Sequence, residues 1–474
     1  MSEDIATLSL TEAAAAIAAK EISSLEVTEA SLARIERLQP VLNCFISLQA
    51  EAALAAARAA DARLAKGEAV GPLHGVPLAH KDMFYRAGRV STCGSAIRRD
   101  FRPEITATVL TRLDAAGALD LGGLNMSEFA NGPTGHNIHF GDCHNPWNPA
   151  HVTGGSSSGS GSAVAARLVY GTLGSDTGGS VRIPAALNGL VGLKPTQARI
   201  SRHGGLPLSF STDCFGPLTR TVADCARLTA VIAGHDPRDP TSSRRPVDDY
   251  EASLEAGIAG TTIAVARTYG SIEVVPEVAA ASAESLAVLT DLGAETVEVD
   301  LPDPAELSAL SNIVSRAEAA ASHRQWIRTR RQDYSPQVRR RMEVGHMIPA
   351  TRYIEALSAR ARILDEFAQA VFAEAEVLHL PTVAVPAPRI DESDIGDSET
   401  LPQLLLSLTG LTRPMNYLGL PALSLPAGFS ADGLPVAFQL VGRPFQEAML
   451  FRIGHAYQRA TVWHRRTPPL ASPE

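Results

Sequence analysis

Residues 153–196, with the sequence TGGSSSGSGSAVAARLVYGTLGSDTGGSVRIPAALNGLVGLKPT, contain two segments rich in glycine and serine on either side of an apolar periodic segment at 163–170. Glycine permits positive φ and close approach of the backbone. Such segments can therefore direct several N–H groups at one point and stabilise negative charge that develops there. A flexible linker would not include a buried helix. The stretch thus indicates a site at which glycines present serines, among them Ser156 and Ser180.

Other interpretations of these glycine-rich segments have less support. Clusters of glycine and serine are often ordinary loops, although two of them beside one helix favour a functional site. A phosphate-binding loop would need a GK[ST] ending or a GxGxxG directly after a strand, and the segments have neither. Residues 155–159 match the GxSxG elbow around Ser157, but NPWNP at 145–149 is a poor strand to precede it. We treat that match as accidental.

Short apolar runs alternate with helical periodicity over most of the chain. Before residue 70 the pattern predicts two or three helices, and Ser9 with Glu12 has the spacing of a capping box. Further along, it predicts buried strands at residues 76–79, 117–124, 262–266, 295–300, 377–380, 422–425 and 436–441. Helices are predicted at 278–289 and 447–460, and a long helical region at 305–373 with breaks near Pro336 and Pro349.

This alternation predicts an α/β fold. We expect a single large domain with a mixed, mostly parallel and twisted central sheet, helices on both of its faces, and further helices at the N-terminal end. Strands on both sides of residues 236–249 are expected to join one sheet. That stretch is rich in proline and charge, so we predict a surface excursion there, with a division into two domains near Asp236 left open.

The composition favours a globular protein that acts on a small molecule. Of the 474 residues, 45% are apolar and 20% are charged, and the formal net charge is -9. Apart from a cluster at 324–341, the basic residues are scattered along the chain. This scatter and the negative net charge argue against a nucleic-acid partner. The cysteines form no CxxC pair, so we predict neither a disulfide framework nor a thiolate zinc site. They are Cys44, Cys93, Cys143, Cys214 and Cys225.

We expect a cytoplasmic protein with no membrane association. The first residues, MSED, are not followed by the basic region and apolar stretch of a secretory signal. No run approaches the ~20 apolar residues that a helix needs to span a bilayer. An odd number of cysteines also fits a reducing compartment.

The order and spacing of residues 153–196 resemble the signature of the amidase signature family over the whole stretch. GPLHGVPLAHKDMF at 71–84 resembles the strand that carries the lysine of that family, and GPLTRTV at 216–222 resembles its downstream segment. Residues 380–388 and 411–445 resemble its C-terminal part. The resemblance therefore extends from Gly71 to the last helix and is weakest between residues 236 and 377.

The resemblance implies one amidase signature domain over residues 1–474. It divides the chain into an N-terminal helical part (1–70), a catalytic core (71–235), a variable substrate-facing part (236–376) and a C-terminal core part (377–474).

Carried over residue by residue, the resemblance implies a Ser-cisSer-Lys triad. The nucleophile falls on Ser180, the base on Lys81, and the bridging serine, which the family holds on a cis peptide, on Ser156. The oxyanion hole of the family corresponds to the backbone N–H groups of Thr177, Gly178, Gly179 and Ser180. The polar side chains that support the site correspond to Ser157, Asp176 and Arg182. The resemblance implies no metal and no cofactor.

Elementary chemistry accounts for such a triad. A serine hydroxyl must lose its proton as it attacks, and a lysine can accept that proton only when it is neutral. The pKa of free lysine is about 10.4, so Lys81 has to be buried or near another positive charge, and the end of an apolar strand suits it. Ser156 would pass the proton from Ser180 to Lys81 and later return it to the leaving amine, giving an acyl-enzyme that water hydrolyses.

Each of these residues has a simpler interpretation when it is considered alone. Lys81 would be a surface lysine paired with Asp82, and Ser156 a turn residue. A Ser-His-Asp site finds little support, because no histidine spacing stands out and most histidines of this region lie in loop-like stretches. These are His74, His136, His139, His144 and His151. His80 replaces an apolar residue of the family, and it either lowers the pKa of Lys81 when charged or fills space.

The resemblance implies hydrolysis of a carboxamide to a carboxylate and ammonia or an amine. We expect a small-molecule amide as partner, no nucleic acid and no membrane, with a homodimer left open. One alternative is a glutaminase subunit of a tRNA-dependent amidotransferase. Those subunits usually carry an aspartate seven positions before Asn416, where this chain has Thr409, so we rank a free-standing amidase higher. The other alternative is a non-catalytic binding protein, against which the intact triad counts.

Overall fold

In the part of the chain that the structure describes, residues 2–393 and 401–472 of a computed structural model, the strands form two sheets. In chain order the strands are β1 (Phe45–Leu48), β2 (Pro77–Lys81), β3 (Leu119–Leu124), β4 (Thr172–Asp176), β5 (Val191–Lys194), β6 (Cys214–Thr219), β7 (Thr262–Ala266), β8 (Glu295–Val299), β9 (Val377–Pro381), β10 (Ala422–Phe429) and β11 (Pro435–Gly442). The larger sheet has the order β4-β6-β5-β10-β11-β9-β7-β8, and the smaller one β1-β3-β2.

Helices precede, connect and follow these strands. They are α1 (Ser2–Thr7), α2 (Leu10–Ala18), α3 (Ser24–Leu42), α4 (Ala50–Ala65), α5 (Thr108–Ala115), α6 (Ser158–Ala165), α7 (Arg182–Asn188), α8 (Val222–Ile232), α9 (Pro276–Asp291), α10 (Pro304–Thr329), α11 (Pro336–His346), α12 (Ala350–Phe372), α13 (Ile390–Ser393), α14 (Leu401–Thr409), α15 (Arg413–Leu418) and α16 (Glu447–Ala460). Short 3-10 helices lie at Ala96–Arg98, Glu128–Ala130, Arg331–Asp333, Trp463–Arg465 and Pro469–Ala471.

The local patterns of the sequence predicted many of these elements, but they did not predict β1, β4, β5 and β6. The helical region at 305–373 is the three helices α10 to α12, and its breaks lie at the predicted prolines, because α11 begins at Pro336 and α12 follows Pro349. The capping box also forms: Ser9 N donates to Glu12 Oε2 at 2.7 Å, and Glu12 N donates to Ser9 Oγ at 3.2 Å. Residues 236–249 contain no helix or strand.

The predicted single α/β domain with a large mixed sheet is confirmed, but the prediction of mostly parallel strands is wrong. The pairs β4–β6, β6–β5, β5–β10, β10–β11 and β11–β9 are antiparallel, while β9–β7 and β7–β8 are parallel. β4 and β5, which are joined by α7 and which the sequence did not predict as strands, run in the same direction. However, β6 lies between them and opposes both, and β10 and β11 form a hairpin.

The strand that carries Lys81 belongs to the smaller sheet, which the sequence did not predict. β2 pairs in parallel with β3, and it packs beside β4 without a ladder of backbone hydrogen bonds. The N–H of Leu173 in β4 donates to Nδ1 of His80 at 3.2 Å. The imidazole of His80 thus occupies a backbone donor at the edge of the large sheet. This packing places Lys81 next to the end of β4.

Helices cover both faces of the large sheet, as predicted. Leu423 and Leu425 of β10 and Phe438 of β11 are buried in the same apolar cluster as residues of α9 and α16. Alternate residues, such as Ala422 and Ala437, belong to other clusters that include residues of α12 and α7. Successive residues of a strand face opposite sides, so the two groups of helices lie on opposite faces. None of the described helices combines the length and the apolar character needed to cross a bilayer.

Candidate active site

Lys81 ends β2 with its amine inside the protein, and 1% of the residue is exposed. Its Nζ donates to Ser156 Oγ at 2.7 Å and to Ser175 Oγ at 2.9 Å. Burial lowers the pKa of Lys81 to about 7, against the opposing charges of Asp213 and Asp176. A substantial fraction of this amine is therefore neutral near neutral pH, as a base requires.

The structure decides whether Lys81 pairs with Asp82 and whether His80 carries a positive charge. Lys81 does not pair with Asp82, whose carboxylate accepts hydrogen bonds from the backbone and hydroxyl of Thr92. Burial lowers the pKa of His80 to about 4, so its imidazole is neutral at neutral pH. A neutral imidazole supplies no positive charge that would lower the pKa of Lys81. The role of His80 is to fill space and to accept the hydrogen bond from β4.

Ser156 is fully buried in the turn that leads into α6. The peptide bond between Gly155 and Ser156 is cis, the conformation that the resemblance implies. Backbone contacts fix this turn on both sides. Gly155 N donates to Pro133 O at 2.6 Å, and Ser127 N donates to Ser156 O at 3.1 Å. The turn aims the Ser156 hydroxyl at Lys81.

Residues 177–181 connect β4 to α7 and include Ser180, the expected nucleophile. We call this segment the nucleophile loop. Ser180 is partly exposed and lines a cavity. Gly179 has φ +129°, and a side chain there would collide with Thr412 and Ile183, so the loop requires glycine at this position. Thr412 Oγ1 donates to Gly178 O at 2.8 Å and fixes the loop from the C-terminal part of the chain.

Asp176 and Arg182 hold the two ends of the nucleophile loop. Their side chains are fully buried and form an ion pair at 3.0 Å. Asp176 also accepts from the N–H of Val181 at 3.2 Å, and Arg182 donates to Asn416 Oδ1 at 2.8 Å and to Gln439 Oε1 at 3.0 Å. Burial raises the pKa of Asp176, but the charge and hydrogen bonds of Arg182 outweigh it and bring the pKa to about 2. Both groups are thus charged and mutually satisfied.

Three backbone donors of the loop are free to bind an oxyanion, and one expected donor is not. Within the described residues, no protein acceptor takes the N–H of Thr177, Gly178 or Ser180. The N–H of Gly179 donates to Asp176 Oδ1 at 2.8 Å, so the structure differs from the expectation at this position. A carboxylate that is needed to shape the turn occupies this donor.

The structure joins two members of the expected triad directly, but not the third. Lys81 and Ser156 are hydrogen-bonded, whereas no hydrogen bond links Ser156 Oγ to Ser180 Oγ in the described part of the chain. Catalytic hydrogen bonds are often long before substrate binds and shorten in the complex.

Two polar residues beside Lys81 were missed by the sequence interpretation. Ser175, in β4, is the second acceptor of the Lys81 amine. Asp213 is fully enclosed and accepts from Thr177 Oγ1 at 2.5 Å and from Leu208 N at 2.9 Å. Burial raises the pKa of Asp213 to about 6. No strand was predicted at Ser175, so nothing marked it as a buried serine that needs a hydrogen-bond partner. Nothing local marks Asp213.

The other serines of the first glycine-rich segment support the packing of α6 on β4. Ser157 Oγ is 3.5 Å from Ser175 O, and Ser160 Oγ is 3.5 Å from Leu173 O. Ser157 is fully buried and no strand enters its turn, so the elbow match is accidental, as we inferred. Ser158 is buried in the first turn of α6.

The cavity at Ser180 has a volume of about 340 Å³. The nucleophile loop contributes Thr177, Gly178 and Ser180 to its lining. Residues of α10, α11, α14 and α15 contribute much of the rest, including Arg316, Arg341, Thr409 and Arg413. The described residues contain no group of three or more His, Cys, Asp or Glu that could hold a metal ion.

Comparisons with known proteins give matches over most of the chain. A family model described as Amidase matches residues 26–451. The chain is 44% identical to a glutamyl-tRNA(Gln) amidotransferase subunit from Chloroflexus aggregans, with 98% of each chain covered. The solved structure of the corresponding Thermotoga maritima protein is 33% identical, with a TM-score of 0.79, and the match covers 97% of this chain and 94% of that one.

A relative whose name describes a different activity has a backbone that superposes better on this chain. The structure of 6-aminohexanoate cyclic dimer hydrolase complexed with substrate is 27% identical, with a TM-score of 0.90, over 98% of this chain and 100% of that one. The fold is thus shared by proteins whose names describe different amides. The family model spans most of the sequence. This chain belongs to the amidase signature family.

Proposed function

We propose that the protein hydrolyses a carboxamide bond through an acyl-enzyme on Ser180, with Ser156 as the proton relay and Lys81 as the base. The hydrogen bond of 2.7 Å between Lys81 Nζ and Ser156 Oγ carries this proposal. A buried lysine beside a buried serine has little structural value, because the amine must be desolvated. Its pKa of about 7 suits a group that exchanges protons at neutral pH.

Acylation begins when the Ser180 hydroxyl attacks the carbonyl carbon of the amide. As the new C–O bond forms, the proton of Ser180 passes to Ser156 Oγ, and the proton of Ser156 passes to the neutral amine of Lys81. The carbonyl oxygen becomes an oxyanion within reach of the free N–H groups of Thr177, Gly178 and Ser180. Preorganised donors of this kind stabilise the transition state without moving.

The intermediate collapses when the C–N bond breaks and the leaving nitrogen takes the proton back through Ser156. The acyl group then remains as an ester on Ser180. A water molecule attacks that ester, gives its proton to the same relay, and releases the carboxylate with Ser180 restored. The Asp176–Arg182 pair takes no proton in these steps, and its part is to hold the nucleophile loop in shape.

A second candidate function is the glutaminase subunit of a tRNA-dependent amidotransferase. The relatives named as subunits of glutamyl-tRNA(Gln) amidotransferase favour it over the free-standing amidase that we ranked higher, since the similarity covers 98% of the chain. In that case the substrate is glutamine, and the chain works with partner subunits. Isolation of the tagged protein from its own cells tests this. Co-purified subunits that convert glutamyl-tRNA to glutaminyl-tRNA with glutamine support it, and a catalytically active single chain contradicts it.

The proposed nucleophile is tested with a fluorophosphonate probe and peptide mapping. We expect a stable adduct on Ser180, and none in Ser180→Ala, which should also lose amide hydrolysis by about 10⁴-fold or more. Ser157→Ala is the matched control, because that hydroxyl lies in the same core and makes one long contact, and it should be labelled like the wild type. An adduct on another residue, or an active Ser180→Ala variant, contradicts the proposal.

A further inference from the structure

Three arginines line the cavity beside Ser180. Arg316 comes from α10, Arg341 from α11, and Arg413 is the first residue of α15. Each is partly buried. Arg341 donates to Asn131 O at 2.5 Å, and Arg413 donates to Asn312 Oδ1 at 2.7 Å. Within the described residues, most of the N–H groups of the three guanidinium groups have no acceptor.

The arginine cluster, Arg316, Arg341 and Arg413, has no carboxylate partner among the described residues. In residues 2–393 and 401–472, none of the three forms an ion pair, and the cavity lining contains no Asp or Glu. Burial, together with the charge of Arg316, lowers the pKa of Arg341 to about 10. Burial lowers the pKa of Arg413 to about 10 as well, with Arg316 and Arg341 adding to it and Asp176 opposing. The guanidinium groups are close enough to repel one another and stay charged at neutral pH.

The cluster lies within reach of the reacting centre. A Cβ built on Gly178 would lie 3.2 Å from Cζ of Arg413, so this guanidinium packs against the backbone of the nucleophile loop. Gly178 offers one of the free N–H groups, and Ser180 follows two residues later. An anionic group held by Arg413 would therefore be only a few bonds away from an amide that is placed for attack.

The described lining of the same cavity has no carboxylate that would bind an ammonium. Thr409 stands where the resemblance would place an aspartate. Its hydroxyl donates to Leu405 O at 2.7 Å within α14. With three cations and no carboxylate in the described lining, a positive charge on the substrate would be repelled.

We propose that the arginine cluster selects amides that carry a carboxylate and no ammonium group. This inference rests on the proposed hydrolysis at Ser180 and names the substrate class of that site. Guanidinium groups bind carboxylates through paired, charge-assisted hydrogen bonds, which are the strong ones in a partly buried site. The carboxylate also removes the repulsion among the three arginines. Arg316, Arg341 and Arg413 then determine specificity and take no part in bond breaking.

Three amides of matched length test this proposal. Pentanamide, glutaramate and L-glutamine share the chain that bears the amide; glutaramate adds a carboxylate, and L-glutamine adds an ammonium to that. We expect kcat/KM to be about tenfold to a hundredfold greater for glutaramate than for pentanamide, as for hydrogen bonds to charged groups. The value for L-glutamine should be below that for glutaramate. Such a result also favours the free-standing amidase over the glutaminase subunit.

Matched variants on one helix link the preference to the cluster. Arg316→Gln should reduce the ratio of kcat/KM for glutaramate to kcat/KM for pentanamide by about tenfold, mainly through a higher KM for glutaramate. Arg324→Gln removes the same charge from an exposed position of α10 and should leave the ratio as it is. An unchanged ratio in Arg316→Gln, or a preference for L-glutamine over glutaramate, overturns the inference while the hydrolysis at Ser180 stands.

Binding separates a failure of this inference from a failure of the proposed chemistry. Ser180→Ala, which cannot form the acyl-enzyme, is titrated with the same three amides by calorimetry. Tighter binding of glutaramate than of pentanamide and L-glutamine supports the inference even if the wild type hydrolyses none of them. Equal or absent binding of glutaramate overturns it, whatever the result of labelling at Ser180.

Discussion

Two arginine environments lie on either side of the nucleophile loop and differ in how their charge is balanced. Arg182 is fully buried, and Asp176, Asn416 and Gln439 accept its hydrogen bonds. The arginine cluster of the cavity has no carboxylate partner in the described residues. A buried charge that is fully satisfied by the protein stabilises the protein itself. A charge left without a partner beside a reactive group is available to a ligand.

The comparison also separates catalysis from specificity. Asp176 and Arg182 bracket the nucleophile loop in sequence, while Lys81 comes from β2 and Ser156 from the turn before α6, so the groups of the proposed chemistry lie on the core of the fold. The cluster comes from three separate helices, of which α10 and α11 lie in the part of the chain where the resemblance is weakest. Different amides can therefore be accommodated by changing those helices while the loop stays the same. The relatives have names that describe different activities, in agreement with this separation of catalysis from specificity.

The largest effect is expected at Ser156, the proposed proton relay. Ser156→Ala removes the hydroxyl through which the Ser180 proton reaches Lys81, and kcat for amide hydrolysis should fall by about 10²- to 10⁴-fold. Steady-state rates of ammonia release measure this. Ser157→Ala, in the adjacent position, should change kcat by less than about threefold. Equal losses in both variants would show that the segment matters for folding and not for proton transfer.

Stability distinguishes the two arginine environments directly. Arg182→Met leaves the buried carboxylate of Asp176 without its partner, and the free energy of unfolding should fall by about 3–5 kcal/mol. Arg316→Gln removes a charge that the protein does not use, and the change should be within about 0.5 kcal/mol. Urea titrations followed by circular dichroism measure both. A large loss in Arg316→Gln would mean that the cluster is structural, and the contrast would be lost.

A smaller effect is expected at the second acceptor of the base. Ser175→Ala leaves the hydrogen bond from Lys81 to Ser156 in place and removes the one to Ser175. We expect kcat to fall by about tenfold, the worth of one hydrogen bond that orients the amine. Measurement at a pH above the pKa of Lys81 separates orientation from ionisation. A loss as large as that of Ser156→Ala would make Ser175 the relay and would reassign the proton path.

Local patterns predicted many of the helices and strands and the two glycine-rich segments, because the residues that determine them are close in sequence. The strand ending in Lys81, the capping box at Ser9 and the serines of 153–196 all follow from spacing and residue type. The insertion of β6 between β4 and β5 did not, since strand direction depends on non-local pairing. The neutral state of His80 depends on burial that its flanking residues do not specify.

The arginine cluster shows most clearly what the sequence withheld. Arg341 lies at the end of the basic cluster of residues 324–341, and nothing in the sequence distinguishes it from Arg339 or Arg340. Arg316 and Arg413 are isolated in sequence. Only the packing of α10, α11 and α15 around one cavity brings the three together. Asp213 was missed for the same reason.

The central claim, that a neutral Lys81 drives the attack by Ser180, is tested most directly by the pH dependence of fluorophosphonate labelling at Ser180. Burial lowers the pKa of Lys81 to about 7, so the labelling rate should rise as the pH passes through that value and then level off. The negative charge of Asp213 opposes this shift, so Asp213→Asn should move the midpoint to lower pH. A rate that falls or stays constant from about pH 6 to about pH 8, or a midpoint that moves upward in Asp213→Asn, would contradict the account.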